Sequence, residues 1–542
     1  MNITSIVYEL IMKNKKYFSL LIASLVFLNI FGVVIPLIIK FIVDDVLFLG
    51  NQDIVLFIFL IIVCTLVIES FLTFVSSANN KLLFESLEKN FKLSFIDKIL
   101  KMKFQKFQCI KTDEYINNYI MDINMLFGFI NETIDIIFST TLSFVLIVSL
   151  MLVYNIKLTV LSLLFLPLYI VIVLISGLRM EKLYGSARKF YGEENNEILN
   201  VIRCKKSINL FNTEHLLFDR LKNKLTSVSK TILEITFFEG TINIFLYLIS
   251  NSSLIIIIIY GFKLITEKTM TIGVLVIFYS FTSRLLPIIN KYIDYFYNIK
   301  RVKCYISNIT KIDIDEDADK NKDEIKVDFN TLNIDKLTVR LDSKIIVDDF
   351  SMKVKKGEII CMYGKNGSGK TTILNSISKL YTPISGSIKI DNILIDDLAN
   401  DYYYNNIGYL TQESLLLNDT IYNNITMGKN INKKDISAIC ERLHILDFIL
   451  SLENGFGYLV NNNGAEFSGG EKKIILFLRI LLRNPKILLL DEFSNDLDSD
   501  RKKIIYDCLS NDFKDSIIIM VSHNEAEREI ANRNIEIKRL EV

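Results

Sequence analysis

The chain has 542 residues, 51% of them hydrophobic, with a formal net charge of +1. Its mean hydropathy of +0.34 argues against a wholly water-exposed enzyme and for a multi-domain membrane protein, and its balanced charge gives no support for a nucleic-acid partner. Seven cysteines (Cys64, Cys109, Cys204, Cys304, Cys361, Cys440 and Cys508) are dispersed without metal-like spacing, so they read as reduced thiols acting as small hydrophobes.

From the N-terminus, six apolar stretches are predicted at about 17–43, 54–78, 131–153, 157–179, 238–262 and 271–297. Each is long enough to cross a hydrocarbon layer of ~30 Å at 1.5 Å per residue. The first is too long for a cleavable signal and reads as a retained helix. Lysine and arginine gather in the N-terminal tail, in 80–125 and in 180–230, whereas 44–53 and 154–157 carry little positive charge. The positive-inside rule then puts the N-terminus and both long connections in the cytoplasm.

Those long connections are predicted to be helical. Leu83, Leu87, Phe91, Phe95 and Ile99 repeat every four residues, a pattern that packs one helix face. Within the spans, Pro36, Pro167 and Pro287 either kink helices toward a cavity or serve packing. Glu69 and Arg284 fall near the middle of the second and sixth stretches, where an ionisable group costs about 2.5–3.5 kcal/mol on insertion scales. They are expected to line or gate a cavity, or to form a structural ion pair. The run Asp313–Asp319 then opens a solvated linker at 311–330.

Beyond the linker, Ile359-Ile360-Cys361-Met362-Tyr363 reads as a buried strand leading into Gly364-Lys365-Asn366-Gly367-Ser368-Gly369-Lys370-Thr371-Thr372. This is a phosphate-binding loop: its glycines let successive amides face an anion, and a helix N-terminus follows. Lys370 is placed to meet β- and γ-phosphates and the Thr371 hydroxyl to meet Mg²⁺. Further on, Ser468-Gly469-Gly470-Glu471 precedes an apolar run ending in Asp491-Glu492. Most phosphate-loop enzymes lack such a Ser-Gly-Gly turn.

In this order the motifs resemble the ATP-binding cassette (ABC) proteins, closely over about 330–542. The resemblance implies ATP and Mg²⁺ as cofactors. It makes Gln412 the glutamine-loop residue that senses Mg²⁺, Asp491 a Mg²⁺ partner and Glu492 the base that polarises water. Ser494-Asn495-Asp496-Leu497-Asp498 looks like the D-loop and His523 like the switch histidine. The expected ATP-site set is thus Gly364 to Thr372 with Ser468, Gly469 and Gly470; Thr371, Gln412 and Asp491 are the metal set; Glu492, His523, Lys370 and Gln412 are the catalytic set.

Together with the six spans, the chain resembles an exporter-type ABC half-transporter, and Ile35-Pro36-Leu37 with Asp44-Asp45-Val46-Leu47 is similar to the end of that family's first span. The expected fold is a multi-domain membrane protein, with an all-α six-helix transmembrane domain (1–310), a linker (311–330) and an α/β P-loop ATPase domain of ABC type (331–542). A single phosphate loop implies that two chains pair, with Ser468-Gly469-Gly470 completing the partner's ATP site. The expected setting is the plasma membrane with the ATPase domain in the cytoplasm. Coupling helices are expected near Asp113-Glu114-Tyr115 and near Phe211-Asn212-Thr213-Glu214.

Two features depart from the family pattern. Leu341 stands where an aromatic ring usually stacks on adenine, a contact worth about 1–3 kcal/mol by analogy with base stacking. Asn462-Asn463-Gly464 replaces the exporters' Glu-Arg-Gly, while Glu471 in place of glutamine is a tolerated variation. The expected activity is ATP-driven export of a hydrophobic or amphipathic substrate, a peptide or small natural product ahead of a lipid or drug. With no peptidase-like segment at the N-terminus, a peptide-processing exporter is not expected. A homodimer is favoured; a regulatory half of a heterodimer and an exporter-fold importer are the other readings. The cavity is expected to be mostly apolar and aromatic with few charges.

Overall fold

The computed structural model describes residues 14–47, 55–109, 119, 122–309, 325–341, 344–413 and 415–540. It forms two units: 1–101 with 110–314, and 102–109 with 315–542. Residues 311–324 of the expected linker and the expected coupling position at Asp113-Glu114-Tyr115 lie outside the described residues.

In the first unit the six apolar stretches fall on helices Lys15–Val46, Val55–Lys101, Ile123–Tyr154, Ile156–Arg203, Glu214–Thr266 and Ile272–Lys303. A segment in hydrocarbon must satisfy its own backbone polar groups, which a helix does internally. The second helix has 47 residues. At 1.5 Å per residue it is about 70 Å long, roughly twice what the hydrocarbon layer requires. Beyond its apolar part Leu83, Leu87 and Phe95 are buried, so the four-residue stripe is a packing face.

The third and fourth spans are joined at Asn155, whose extended backbone ends one helix while its side chain accepts the Leu158 N–H of the next at 3.1 Å. The fourth helix breaks at Leu164–Phe165, and Pro167 sits in the first turn of its continuation, where a missing N–H is harmless. One apolar core gathers Met151, Ile257, Phe278 and Phe281, and a second gathers Tyr169, Met180, Ile242, Leu246 and Ile293. Arg284 donates to the Gly32 carbonyl of the first span. Glu69 keeps a buried carboxylate oxygen without a hydrogen-bond partner.

At the opposite end of the first span from the N-terminus, Asp44 ties two helices together. Its carboxylate accepts from the Thr271 hydroxyl at 2.7 Å and from the Gly273 N–H at 2.8 Å, and Lys40 stands 3.4 Å away. A Cβ at position 273 would lie 2.6 Å from the carboxylate atoms. Only glycine leaves room for this contact.

Among the described residues the second unit has nine strands: β1 Thr331–Leu341, β2 Lys344–Lys355, β3 Ile359–Tyr363, β4 Ser385–Ile390, β5 Ile393–Leu394, β6 Ile407–Leu410, β7 Ile487–Asp491, β8 Ile517–Val521 and β9 Arg533–Glu536. An antiparallel sheet runs β2-β1-β4-β5, and a five-stranded sheet of parallel neighbours runs β6-β7-β8-β3-β9. Every residue of β7 and β8 is buried, as expected of central strands covered on both faces. The helix Phe104–Cys109 belongs to this unit: Phe104 stacks on Tyr381, the Tyr381 hydroxyl donates to Gln108 at 2.8 Å, and the Thr382 N–H donates to Gln105 at 3.1 Å.

Candidate nucleotide-binding and hydrolysis site

The order of the parallel sheet builds the site. β3, β6, β7 and β8 share one direction, so the segments after them (the phosphate loop, Gln412, Glu492 and His523) emerge at one edge. Ligands of open parallel sheets bind at the carboxyl ends of the strands.

After β3 the loop turns through glycines with positive φ. Gly364 (φ 151°) passes so near the Ile537 carbonyl that a Cβ would lie 2.3 Å from it, and Gly369 (φ 95°) packs against Ile346 and Val347 of β2. Lys370 then opens the helix Lys370–Ile377. Its ammonium donates to the carbonyls of Gly364 at 2.8 Å and Lys365 at 3.1 Å, which holds it across the loop. Burial lowers the pKa of Lys370, against the pull of Glu492 and Asp491.

Among the described residues two buried polar atoms here lack hydrogen-bond partners, Ser368 Oγ and one oxygen of Asp491. Asp491 is 2% exposed. Burial raises the pKa of its carboxyl; Glu492 adds to the rise, while Thr371 and Lys370 oppose it. A carboxylate oxygen left bare beside a threonine hydroxyl fits a hydrated Mg²⁺, whose ligands are hard oxygens.

Glu492 follows with φ 46°, an uncommon conformation for a non-glycine residue and one that gathers at functional sites. Its backbone is pinned on both sides: its N–H donates to the Val521 carbonyl at 3.0 Å, and its carbonyl accepts from Lys473 at 3.1 Å. One carboxylate oxygen accepts from Gln412 at 3.1 Å and Asn495 at 3.0 Å, and the other is 3.7 Å from His523 Nε2. That last separation is longer than a hydrogen bond.

Ser468 caps the helix Gly469–Arg483. Its oxygen accepts the Glu471 N–H, while the Glu471 carboxylate accepts from the Ser468 N–H and hydroxyl at 2.8 Å each. Gly469 and Gly470 lie against Asp496; a Cβ at 470 would be 2.8 Å from its carbonyl. Lys473, 2% exposed, also holds the Asp496 carboxylate at 2.9 Å. One buried cation therefore connects the Ser-Gly-Gly helix, the segment after Glu492, and Glu492 itself. Sequence reasoning assigned Lys473 no role, because its partners are fixed by packing; the signal was a lysine on the otherwise apolar face of that helix.

The departures have structural explanations. Asn462, Asn463 and Gly464 all have positive φ, at 46°, 55° and 78°, so the turn uses the residue types that tolerate this conformation. Leu341 ends β1, partly buried against the core that the antiparallel sheet shares with β3, β7 and β8. The ring of Tyr363, at the end of β3, is covered by the Arg528 guanidinium at 4.2 Å.

Comparison with known proteins agrees with this geometry. Residues 18–287 match the family described as ABC transporter transmembrane region, and residues 347–495 match the family described as ABC transporter. The "Probable ABC transporter ATP-binding/permease protein" of Haemophilus influenzae is 28% identical, over 65% of this chain and 64% of its own length. The chain thus spans just under two thirds of that relative. The sublancin-168-processing and transport ATP-binding protein SunT of Bacillus subtilis is 24% identical over 95% of this chain and 73% of its own, and the multidrug resistance ABC transporter ATP-binding and permease protein of Lactococcus lactis is 24% identical over 81% and 75%. In fold, the chain matches the structure of a bacterial Atm1-family ABC exporter with ATP bound, with a TM-score of 0.88 at 18% identity over 97% of this chain and 94% of that one. With a matched transmembrane region and a matched nucleotide domain in one polypeptide, the chain belongs to the ABC transporters, with the architecture of an exporter half.

Proposed function

We propose that the chain is an ATP-hydrolysing half-transporter that works as a dimer and exports an amphipathic peptide or small natural product from the cytoplasm. The observation that carries the ATPase reading is Glu492, locked at the end of β7 with its carboxylate presented by Gln412 and Asn495. Phosphoryl transfer depends on positioning and charge neutralisation. Lys370 and the loop amides from Gly364 to Thr372 cradle the phosphates, and Ser468, Gly469 and Gly470 of one copy close over the ATP of the other. Thr371, Asp491 and Gln412 would hold Mg²⁺, which would neutralise the phosphate oxygens. Glu492 orients the attacking water and accepts its proton, and His523 steadies the γ-phosphate.

The clustered positive charge of the N-terminal tail, 80–125 and 180–230 favours a cytoplasmic ATPase domain. Leu210 and Phe211, 71% and 76% exposed at the turn near Asn212, suit the tip of a coupling helix. The relatives named for sublancin-168 processing and transport and for multidrug resistance support the export reading. The aliphatic Leu341, with the Tyr363 ring already covered, favours a heterodimer as the second reading.

The test is the full-length chain purified alone. ATP turnover from a dimer is expected, and Glu492→Gln should lower it by about 10²–10⁴-fold, as loss of a general base does, while trapping a closed ATP-bound dimer. Turnover retained in Glu492→Gln would refute the assigned base. A monomer without activity would defeat the homodimer.

A further inference from the structure

A cavity of about 900 Å³ opens among the third to sixth spans. That is within the range of small-molecule sites. Its lining keeps the aromatic rings expected from the sequence but carries more charge and more amides than expected. Among the described residues it includes three carboxylates (Glu132, Glu239 and Asp294), four tyrosines (Tyr169, Tyr184, Tyr247 and Tyr297) and several asparagines, and no Lys, Arg or His. Neither Glu69 nor Arg284 is among the lining residues.

The three acids come from three different spans and stand near the ends of the apolar stretches 131–153, 238–262 and 271–297. Glu132 accepts from the Asn298 amide at 2.8 and 3.0 Å, and Glu239 accepts from the Tyr184 hydroxyl at 2.7 Å. These are neutral donors. Other acids of the unit have basic partners: Asp122 with Arg188 at 2.7 Å, Asp135 with Lys291 at 2.9 Å and Glu181 with Lys300 at 3.2 Å. The nearby Arg301 lies over the Tyr184 ring at 5.2 Å and acts on Glu132 through space, without an ion pair to any of the three acids among the described residues.

Carboxylates without an ion-pair partner are costly at the edge of a membrane, and intramembrane ionisable groups mark substrate or ion paths. A cleft lined by one sign of charge concentrates the opposite sign. Tyrosine faces independently favour cations, through the ring quadrupole. Acids and rings thus select the same ligand by separate physics.

We propose that this cavity binds a substrate carrying an organic cation, an ammonium or guanidinium group on an amphipathic body, with Glu132, Glu239 and Asp294 as its counter-charges. This rests on the reading of the chain as an exporter half and specifies the substrate of that reading.

The test uses tetraphenylphosphonium and tetraphenylborate, two ions of nearly the same size and apolar surface but opposite charge. Binding of each radiolabelled ion to the full-length chain in nanodiscs is measured without ATP, with protein-free nanodiscs subtracted. At least tenfold tighter binding of the phosphonium is expected. The variant combining Glu132→Gln, Glu239→Gln and Asp294→Asn should remove that preference while keeping basal ATPase, and Asp294→Glu should retain it. Equal binding of the two ions, tighter borate binding, binding of neither, or a preference that survives the triple variant would each overturn the proposal. If the triple variant loses basal ATPase, the three single neutralisations replace it, and the proposal fails if none weakens phosphonium binding. Failure of the exporter reading shows separately, as absence of ATP-dependent phosphonium movement into inverted vesicles while the ATP-free binding preference remains.

Discussion

The nucleotide site draws Gly364, Gln412, Glu492 and His523 to one edge because β3, β6, β7 and β8 run parallel. The membrane cavity draws Glu132, Tyr169, Glu239 and Asp294 from four helices whose faces meet only after the bundle packs. In the first case the chemistry lies in short motifs, and the backbone delivers it. In the second it lies in single residues one span apart, and side-chain packing delivers it. The two regions should therefore respond differently to substitution: sharply and singly in the ATPase unit, gradually and jointly in the cavity.

The largest expected effect tests the sharp side. Asp491→Asn should reduce turnover by at least about 10²-fold, comparable to removing a preorganised electrostatic group. The same change should raise the melting midpoint of the ATP-free protein at neutral pH. With a folded-state pKa raised by burial, the wild-type carboxyl binds its proton more tightly folded than unfolded. Stability is then lost as pH rises from the ordinary carboxylate value through the raised one, and asparagine escapes that loss. Melting curves of both proteins against pH should converge at low pH; a gap that persists there would show that packing, not charge, is responsible.

An intermediate effect is expected at Lys473, which acts through Glu492 and Asp496. Lys473→Gln should lower kcat by about tenfold, roughly the worth of a buried charge-assisted hydrogen bond, with KM for ATP unchanged. Lys473→Arg should restore part of it. A rise in KM at constant kcat would place the lysine in nucleotide binding instead. The smallest effect is expected for Glu471→Gln, which keeps the helix cap but removes a charge from the helix N-terminus, costing about 0.3–1 kcal/mol of stability by thermal or urea unfolding.

Much of this architecture was legible from the sequence for physical reasons. Long apolar runs have one stable form in a membrane, and a phosphate loop binds through backbone geometry that a few glycines dictate. The cavity was not legible. Tyr184 and Glu239 are 55 residues apart, and nothing local to either signals their contact at 2.7 Å. Glu69 and Arg284 drew attention by depth alone, whereas Glu132 and Asp294 sat near the ends of the apolar stretches and looked like ordinary flanking charges. The docking helix Phe104–Cys109 was missed in the same way, since its partners Tyr381 and Thr382 lie in the other half of the chain.

The clasp between Asp44 and the start of the sixth span sets a mechanical condition on the proposed transport. One carboxylate holds two donors from that span, and a glycine without spare room completes the joint. Any rearrangement that parts the first and sixth spans at this end must strand the carboxylate and its donors together. Otherwise the two spans travel as one rigid strut, and opening must occur along a different seam of the bundle. Gly273→Ala drives a wedge into the joint, and a disulfide engineered across it would report whether the strut ever comes apart during a cycle.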